Sequence, residues 1–362
     1  MTRFAFASLF TLALFLPLGG CAPQRGPDFE RALAEGRRAE SAGRFSEAAE
    51  KYDIAMQKAK LPRDKARMAY ETATLLAKGG NVAEAVKRFD ALAQEKPQSA
   101  YAPNAALRAA ELRIAHGNEA EGVSGLERVV LDFPNSGSAV AALLHLVRKK
   151  DDAAEATATY LLTLAPKVTG TEIEERVLYE RAKHLEASDP RASRAIYLDL
   201  AARFPYPRGV HFDDALFHAA EIDERAGAYK DAIGHLERLL AERESSHMMG
   251  SYERPRYSTS AMKIAEIYAT RLNDKAAAKS AYHRVYTDFV TSPFRDDALF
   301  KEAALYAAEN DRNGECSTLS TLVSHFDDSR FVPCAEAKCP SVKRSDKSKA
   351  PKTCHAYLER AP

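Results

Sequence analysis

Asp213-Asp214-Ala215-Leu216-Phe217 and Asp296-Asp297-Ala298-Leu299-Phe300 are the same five residues written twice in one chain. Each follows a proline-containing break, at Pro205 and Pro207 in the first case and Pro293 in the second. A looser copy, Asn104-Ala105-Ala106-Leu107-Arg108-Ala109-Ala110-Glu111, follows Pro97 and Pro103. Acidic or amide residues ahead of an apolar run suit a helix start, where they cap free N–H groups and meet the positive end of the dipole. The repetition predicts a chain built from one helical unit used many times.

Between these starts a second pattern recurs. Ala48/Tyr52/Ala55, Ala85/Phe89/Leu92, Gly122/Leu126/Val129, Ala232/Leu236/Leu239 and Ala278/Tyr282/Val285 all read small, large, apolar at i, i+4 and i+7. That spacing puts the three residues on one helix face, where the small one lets a neighbouring helix cross closely. Breaks are expected near Gly43, Gly80, Gly117, Asp151, Asp189, Gly227, Asn273 and Asp311, giving about eight helix pairs. Pro97, Pro134, Pro166 and Pro205 recur roughly every 32 to 39 residues, close to the period of about 34 of the tetratricopeptide repeat. The segments around Ala154 and Ser193 fit the pattern badly.

In its small-residue, aromatic and terminal-proline positions the stretch from Asp28 to Phe326 resembles the tetratricopeptide (TPR) family, although the Trp of that consensus is absent. The resemblance implies an all-α fold, a right-handed superhelical solenoid of TPR-like helix pairs over residues 28–326. Its divergent phasing resembles envelope TPR lipoproteins, the BamD-like barrel-assembly component and the periplasmic coordinator of the Tol-Pal system, in which a similar phrase follows a Tyr-Pro or Phe-Pro break. Phe204-Pro205-Tyr206 and Asp288-Phe289 with Pro293 play that part here. Such folds expose a concave groove that takes extended peptides or partner helices.

The first residues speak to compartment. Arg3 precedes an apolar run of about 15 residues, Phe4 to Leu18, long enough for a signal-peptide core and short of the about 20 that a membrane span needs. The run ends in Leu18-Gly19-Gly20-Cys21, which resembles the bacterial lipobox. The resemblance implies a signal peptide over 1–20, lipidation of Cys21 and a tether over 21–27, roughly 20 Å at full stretch. Ala22 after the cysteine favours the outer membrane, facing the periplasm.

The remaining cysteines, Cys316, Cys334, Cys339 and Cys354, cluster beyond the repeats in a basic tail, residues 327–362. An even count in an exported chain predicts two disulfides in any of three pairings, stapling the tail to the last helix pair. Zinc is the rival, but the spacings lack paired C-x-x-C knuckles. The stretch between Cys339 and Cys354, with its lysines, reads as a disordered loop able to touch anionic lipid or cell-wall polymer. Glu244 to Ser258 interrupts the rhythm, and Met248, Met249, Tyr252 and Tyr257 there form a candidate partner-binding loop, because Met-rich surfaces repack easily.

With 52 basic and 51 acidic residues among 362, no net field draws the chain to nucleic acid. No protease, hydrolase or phosphate-loop motif occurs, and the densest ionisable group, His211, Asp213, Asp214 and His218, reads as helix surface and caps. The sequence therefore points away from an enzyme, a cofactor or a metal. It points to a lipid-anchored scaffold for envelope proteins such as outer-membrane barrels or secretion and assembly components, with peptidoglycan or ligand binding as the alternative.

Overall fold

The computed structural model describes residues 25–95, 98–149, 154–242, 254 and 256–355. Cys21 and its signal peptide, Met248, Met249, Tyr252 and the expected breaks at Pro97 and Asp151 lie outside them. Among the described residues all regular structure is helical. The chain divides into two compact units, one through Leu146 and one from Val147.

The first unit holds α1 (Pro27–Ser41), α2 (Phe45–Lys58), α3 (Pro62–Lys78), α4 (Val82–Gln94), α5 (Ala102–Ala115), α6 (Glu119–Asp132) and most of α7 (Gly137–Lys149). The second holds α8 (Ala154–Leu164), α9 (Glu174–Leu185), α10 (Pro190–Arg203), α11 (Phe212–Arg225), α12 (Tyr229–Ala241), α13 (Tyr257–Thr270), α14 (Lys275–Asp288), α15 (Arg295–Ala307), α16 (Arg312–His325) and the short α17 (Val332–Lys338). From α1 to α6, and from α8 to α17, each helix packs on the next in the sequence. This is the TPR-like arrangement of helix pairs, with odd-numbered first helices and even-numbered second helices.

The turn inside a pair has a local cause. Gly43, Gly80, Gly117 and Gly227 sit at φ between +73° and +87°, and Asn273 and Asn310 take the same left-handed turn at +51° and +60°. Glycine and asparagine tolerate this conformation best. The next residue then caps the second helix in several repeats: the side chains of Asn81, Asp274 and Asp311 accept from Glu84, Ala277 and Gly314 N–H.

All five small–large–apolar triads of the second helices are buried. Thr157/Leu161/Leu164 on α8 and Ser193/Tyr197/Leu200 on α10 are buried in the same spacing. The two segments that looked aberrant therefore carry the same unit with a hydroxyl residue in the small position. Ser193 satisfies its hydroxyl by donating to the Ala182 carbonyl at 2.8 Å, which removes the cost of burying it.

The stretch between Cys339 and Cys354 is held in place by specific bonds, contrary to the expectation from its composition. Cys316 pairs with Cys339 and Cys334 with Cys354, tying α16 to the end of α17 and α17 to the segment beyond. Arg344 binds Glu336 and the carbonyls of Ala350 and Pro351, while Ser345 donates to Asp327. Two covalent ties and these bonds order a chain whose apolar content alone is low. Phe331 stacks on Phe300 with ring centroids 4.4 Å apart, so α17 covers the core face that α15 and α16 would otherwise expose.

Candidate partner-binding surface

The first helices carry the repeated acidic phrase in their first turn, where Asp296 accepts the Asp297 backbone N–H at 3.0 Å, but capping is not its main role. His211 and Phe294 occupy the N-cap positions of α11 and α15, and neither makes a side-chain cap bond. The acids instead reach the entry of the following first helix. Asp213 accepts from Arg254 and Asp214 from Arg256, Nε to oxygen 2.9 Å in each case. Asp296 accepts from Ser329 and Asp297 from Arg330, both at 2.6 Å. In the first unit Ser138 donates to Asn104, the corresponding amide of the looser copy. Glu175 does the same for α11, accepting the His211 backbone N–H at 2.6 Å. These bonds clasp α5 to α7 in the first unit and, in the second, α9 to α11, α11 to α13 and α15 to α17, the last of them past Phe326, where the sequence pattern seemed to stop.

Beyond the clasps, the first helices of the second unit are joined by a ladder of ion pairs. Lys263 on α13 meets Glu224 on α11 at 2.9 Å, and Lys301 on α15 meets Glu266 on α13 at 3.1 Å. Lys263 and Arg256 also lie over the Phe217 ring, 5.7 and 4.7 Å from its centroid. Neighbouring charges cancel, so this face offers polar side chains at fixed spacing rather than an apolar trough.

The four ionisable residues singled out by sequence do not converge. His211 is buried and stacked on Tyr179 at 4.1 Å, and burial holds its pKa down to about 4. Asp213 and Asp214 face different arginines, and His218 sits 3.2 Å from Glu186. Among the described residues no three His, Cys, Asp or Glu side chains gather as a metal site.

Tyr257, expected on a partner-binding loop, opens α13 and is buried, its hydroxyl donating to the carbonyl of Glu242. Arg254 beside it is 5% exposed, with its guanidinium 3.9 Å from the Tyr206 ring centroid. This end of the interruption belongs to the core. An aromatic two residues after a proline, Pro255 and Tyr257, is what marks it in the sequence, and it reads equally well as loop.

Two adjoining clefts in the first unit, of about 450 and 510 Å3, escape the sequence reading. They share Lys65, Ala66 and Glu95. The first has a floor of Met56, Ala66, Ala69 and Leu92 and a rim of Lys65, Arg88 and Glu95. The second runs along Ala59 to Arg63, at the turn between α2 and α3. Their signal in the sequence is only a set of alanines where helices need to approach, which is indistinguishable from ordinary close packing.

No family model and no curated protein matches the sequence. Solved structures similar to it include a tetratricopeptide repeat protein from Parabacteroides merdae, at 12% identity over 86% of this chain and 99% of that one, TM-score 0.27. Yeast Tom70 matches at 12% identity over 86% of this chain and 72% of its own, TM-score 0.32. The TPR2AB domain of yeast Sti1, in its pHSP90 complex, matches at 13% identity over 80% and 98%, TM-score 0.29. At such scores the superpositions add nothing to what the helix pairs themselves establish, and the TPR-like fold rests on those pairs.

Proposed function

We propose that the protein is a non-enzymatic, lipid-anchored scaffold that holds envelope proteins at the periplasmic face of the outer membrane. The observation that carries this reading is the series of first helices in the second unit, joined by clasps and ion pairs into a polar face that suits recognition of a partner chain along its length. The clefts around Lys65 and Glu95 are wide enough for side chains of an extended segment and have an apolar floor to receive them. The anchor is the Cys21 of the lipobox-like Leu18-Gly19-Gly20-Cys21, and the partners are barrel, secretion or assembly components of that membrane.

In-cell crosslinking and affinity capture test it, comparing the native chain with Cys21→Ser and with Ala91→Arg, which places a long side chain over the first cleft from an exposed position. Recovery of an outer-membrane machine by the native chain, weakened by either substitution, supports the scaffold. Identical soluble partners from all three forms would overturn it. A second reading, cell-wall binding, is favoured by one feature: the cross-linked tail presents Lys343, Lys347, Lys349 and Lys352 exposed on an ordered loop. Sedimentation with purified peptidoglycan, lost when these lysines are neutralised, would support it.

A further inference from the structure

Between Met56 and Arg67 the chain carries five cations, Lys58, Lys60, Arg63, Lys65 and Arg67, against one acid, Asp64. That acid is spent. It is buried and holds Arg25 in a two-pronged pair, with Nη2 at 2.7 Å and Nε at 2.9 Å, an arrangement that fixes orientation as well as charge. The hydrogen bond from Arg25 keeps the Asp64 carboxyl below its usual range. The nearby acids of α1 are engaged too, Glu30 with Arg25 and Asp28 with Arg31. Lys58, Lys60 and Lys65 are all exposed, and no described residue pairs with any of them. The turn between α2 and α3 is thus a cationic projection, its cations outnumbering the one acid, Glu95, that shares the neighbouring clefts with Lys60 and Lys65.

Its position follows from the same Arg25–Asp64 pair. Arg25 is four residues after Cys21, a span of at most about 14 Å. Gly26 lies against Lys60, whose Cε would be 3.7 Å from a methyl placed on that glycine. A lipid on Cys21 therefore holds the turn within reach of the headgroups, which would not follow if the first residues left from another edge of the fold.

We propose that the α2–α3 turn, through Lys58, Lys60 and Lys65 with Arg63 beside them, binds the phosphate groups of anionic phospholipids and so sets the orientation of the first repeats on the bilayer; this rests on lipidation at Cys21. The partner is the membrane in which the anchor sits. Each lysine near such a surface strengthens binding about fivefold, and salt screens the attraction over about 10 Å at 0.1 M.

The test uses the mature lipidated chain in phosphatidylethanolamine vesicles with or without phosphatidylglycerol, reading amine acetylation of each lysine by mass spectrometry. Lys58, Lys60 and Lys65 are expected to be several-fold protected in the anionic vesicles only, the protection vanishing at high salt, while Lys87 on α4 reacts alike in both. The same spectra report the lipid on Cys21. Equal labelling of the turn in both vesicle types, on a chain shown to be lipidated, overturns the surface and leaves the anchor standing. A chain without lipid overturns the anchor, and flotation of Cys21→Ser decides the surface: K58Q/K60Q should lower its partitioning to anionic vesicles by about thirtyfold. No difference between the two forms would refute the proposal.

Discussion

Arg254 reaches back 41 residues to Asp213, closing a buried ion pair between the entry of α13 and the first turn of α11. Two features set this clasp apart from its counterpart at Arg330 and Asp297. The Arg254 side chain is 4% exposed against 50% for Arg330, and Arg254 also stands over the rings of Tyr206 and Tyr257. An ion pair stripped of water leaves a costly orphan when one partner goes, whereas an exposed one leaves a solvated charge. Asp213→Ala should therefore destabilise the protein by about 3 kcal/mol and Arg330→Ala by less than about 1 kcal/mol, measured by urea unfolding. Equal, small losses would mean that the repeated acids are ornaments of helix ends rather than inter-repeat clasps.

The buried His211 gives the second unit a pH dependence whose sign is fixed. Its folded pKa is held at about 4 by burial, aided by the charge of Arg176 and opposed by Asp214 and Glu180, while the unfolded value is about 6.5. Between these values the unfolded chain binds the extra proton, so stability is fully present above about pH 6.5 and is lost as pH falls towards 4. His211→Phe keeps the ring stacked on Tyr179 and removes the proton site. Native minus variant stability should then fall by about 2–3 kcal/mol from pH 7 to pH 4. A flat difference across that window would place the imidazole in contact with water. Comparing the pair matters because buried Glu175 and Glu302, both pushed up by burial, act with the opposite sign in both proteins.

Much of this fold is legible before any coordinates. Helix pairs follow from the duplicated Asp-Asp-Ala-Leu-Phe and from the small–large–apolar triads, because burial on a 3.6-residue period leaves a mark in the residue types themselves. Where the mark fails, the cause is chemical. Thr157 and Ser193 satisfy the demand for a small residue while scoring as polar. What Asp213 does depends on Arg254, and no local pattern joins residues so far apart. The four cysteines announce two bonds, but the pairing of Cys316 with Cys339 depends on where α17 lies. The basic turn at Lys58 to Lys65 was open to view as charge, yet only the Arg25–Asp64 pair brings it to the start of the chain.

Gly36 and Gly80 show two different reasons for a glycine. A methyl there would lie 2.3 Å from the Tyr52 ring, so Gly36→Ala forces the buried tyrosine to move. Gly80, in contrast, has no atom within 4 Å of such a methyl but sits at φ +85°. Gly36→Ala is expected to cost about 1–3 kcal/mol through overpacking, and Tyr52→Leu should recover part of it by vacating the space. Gly80→Ala should cost about 1 kcal/mol through backbone strain, with no rescue from any side chain. Thermal unfolding of the two single variants and the Gly36→Ala/Tyr52→Leu pair checks this. Absence of rescue would mean that the two residues do not meet across α1 and α2.

The disulfides are expected to stabilise the end of the second unit rather than the chain as a whole. Cys316–Cys339 and Cys334–Cys354 close spans of 23 and 20 residues, for which the loop-entropy model gives about 3 kcal/mol each. The protected structure is α17 and the segment after it, whose own apolar core is small: Phe331, Val332, Cys334, Ala335 and Val342 packed on Leu299, Phe300 and Leu319. Cys316→Ala with Cys339→Ala, which removes one of the two bonds, should raise amide exchange over residues 327–355 by about a hundredfold, the equivalent of about 3 kcal/mol, and reduction of both should raise it further. Helices α9 to α12 carry a separate and larger share of the core, so their exchange should stay within about twofold. Exchange that rises evenly through all the repeats would make the second unit one cooperative block, with the tail as its keystone. Exchange confined to the tail would make α17 a detachable cap, held by two bonds that a reducing compartment would release.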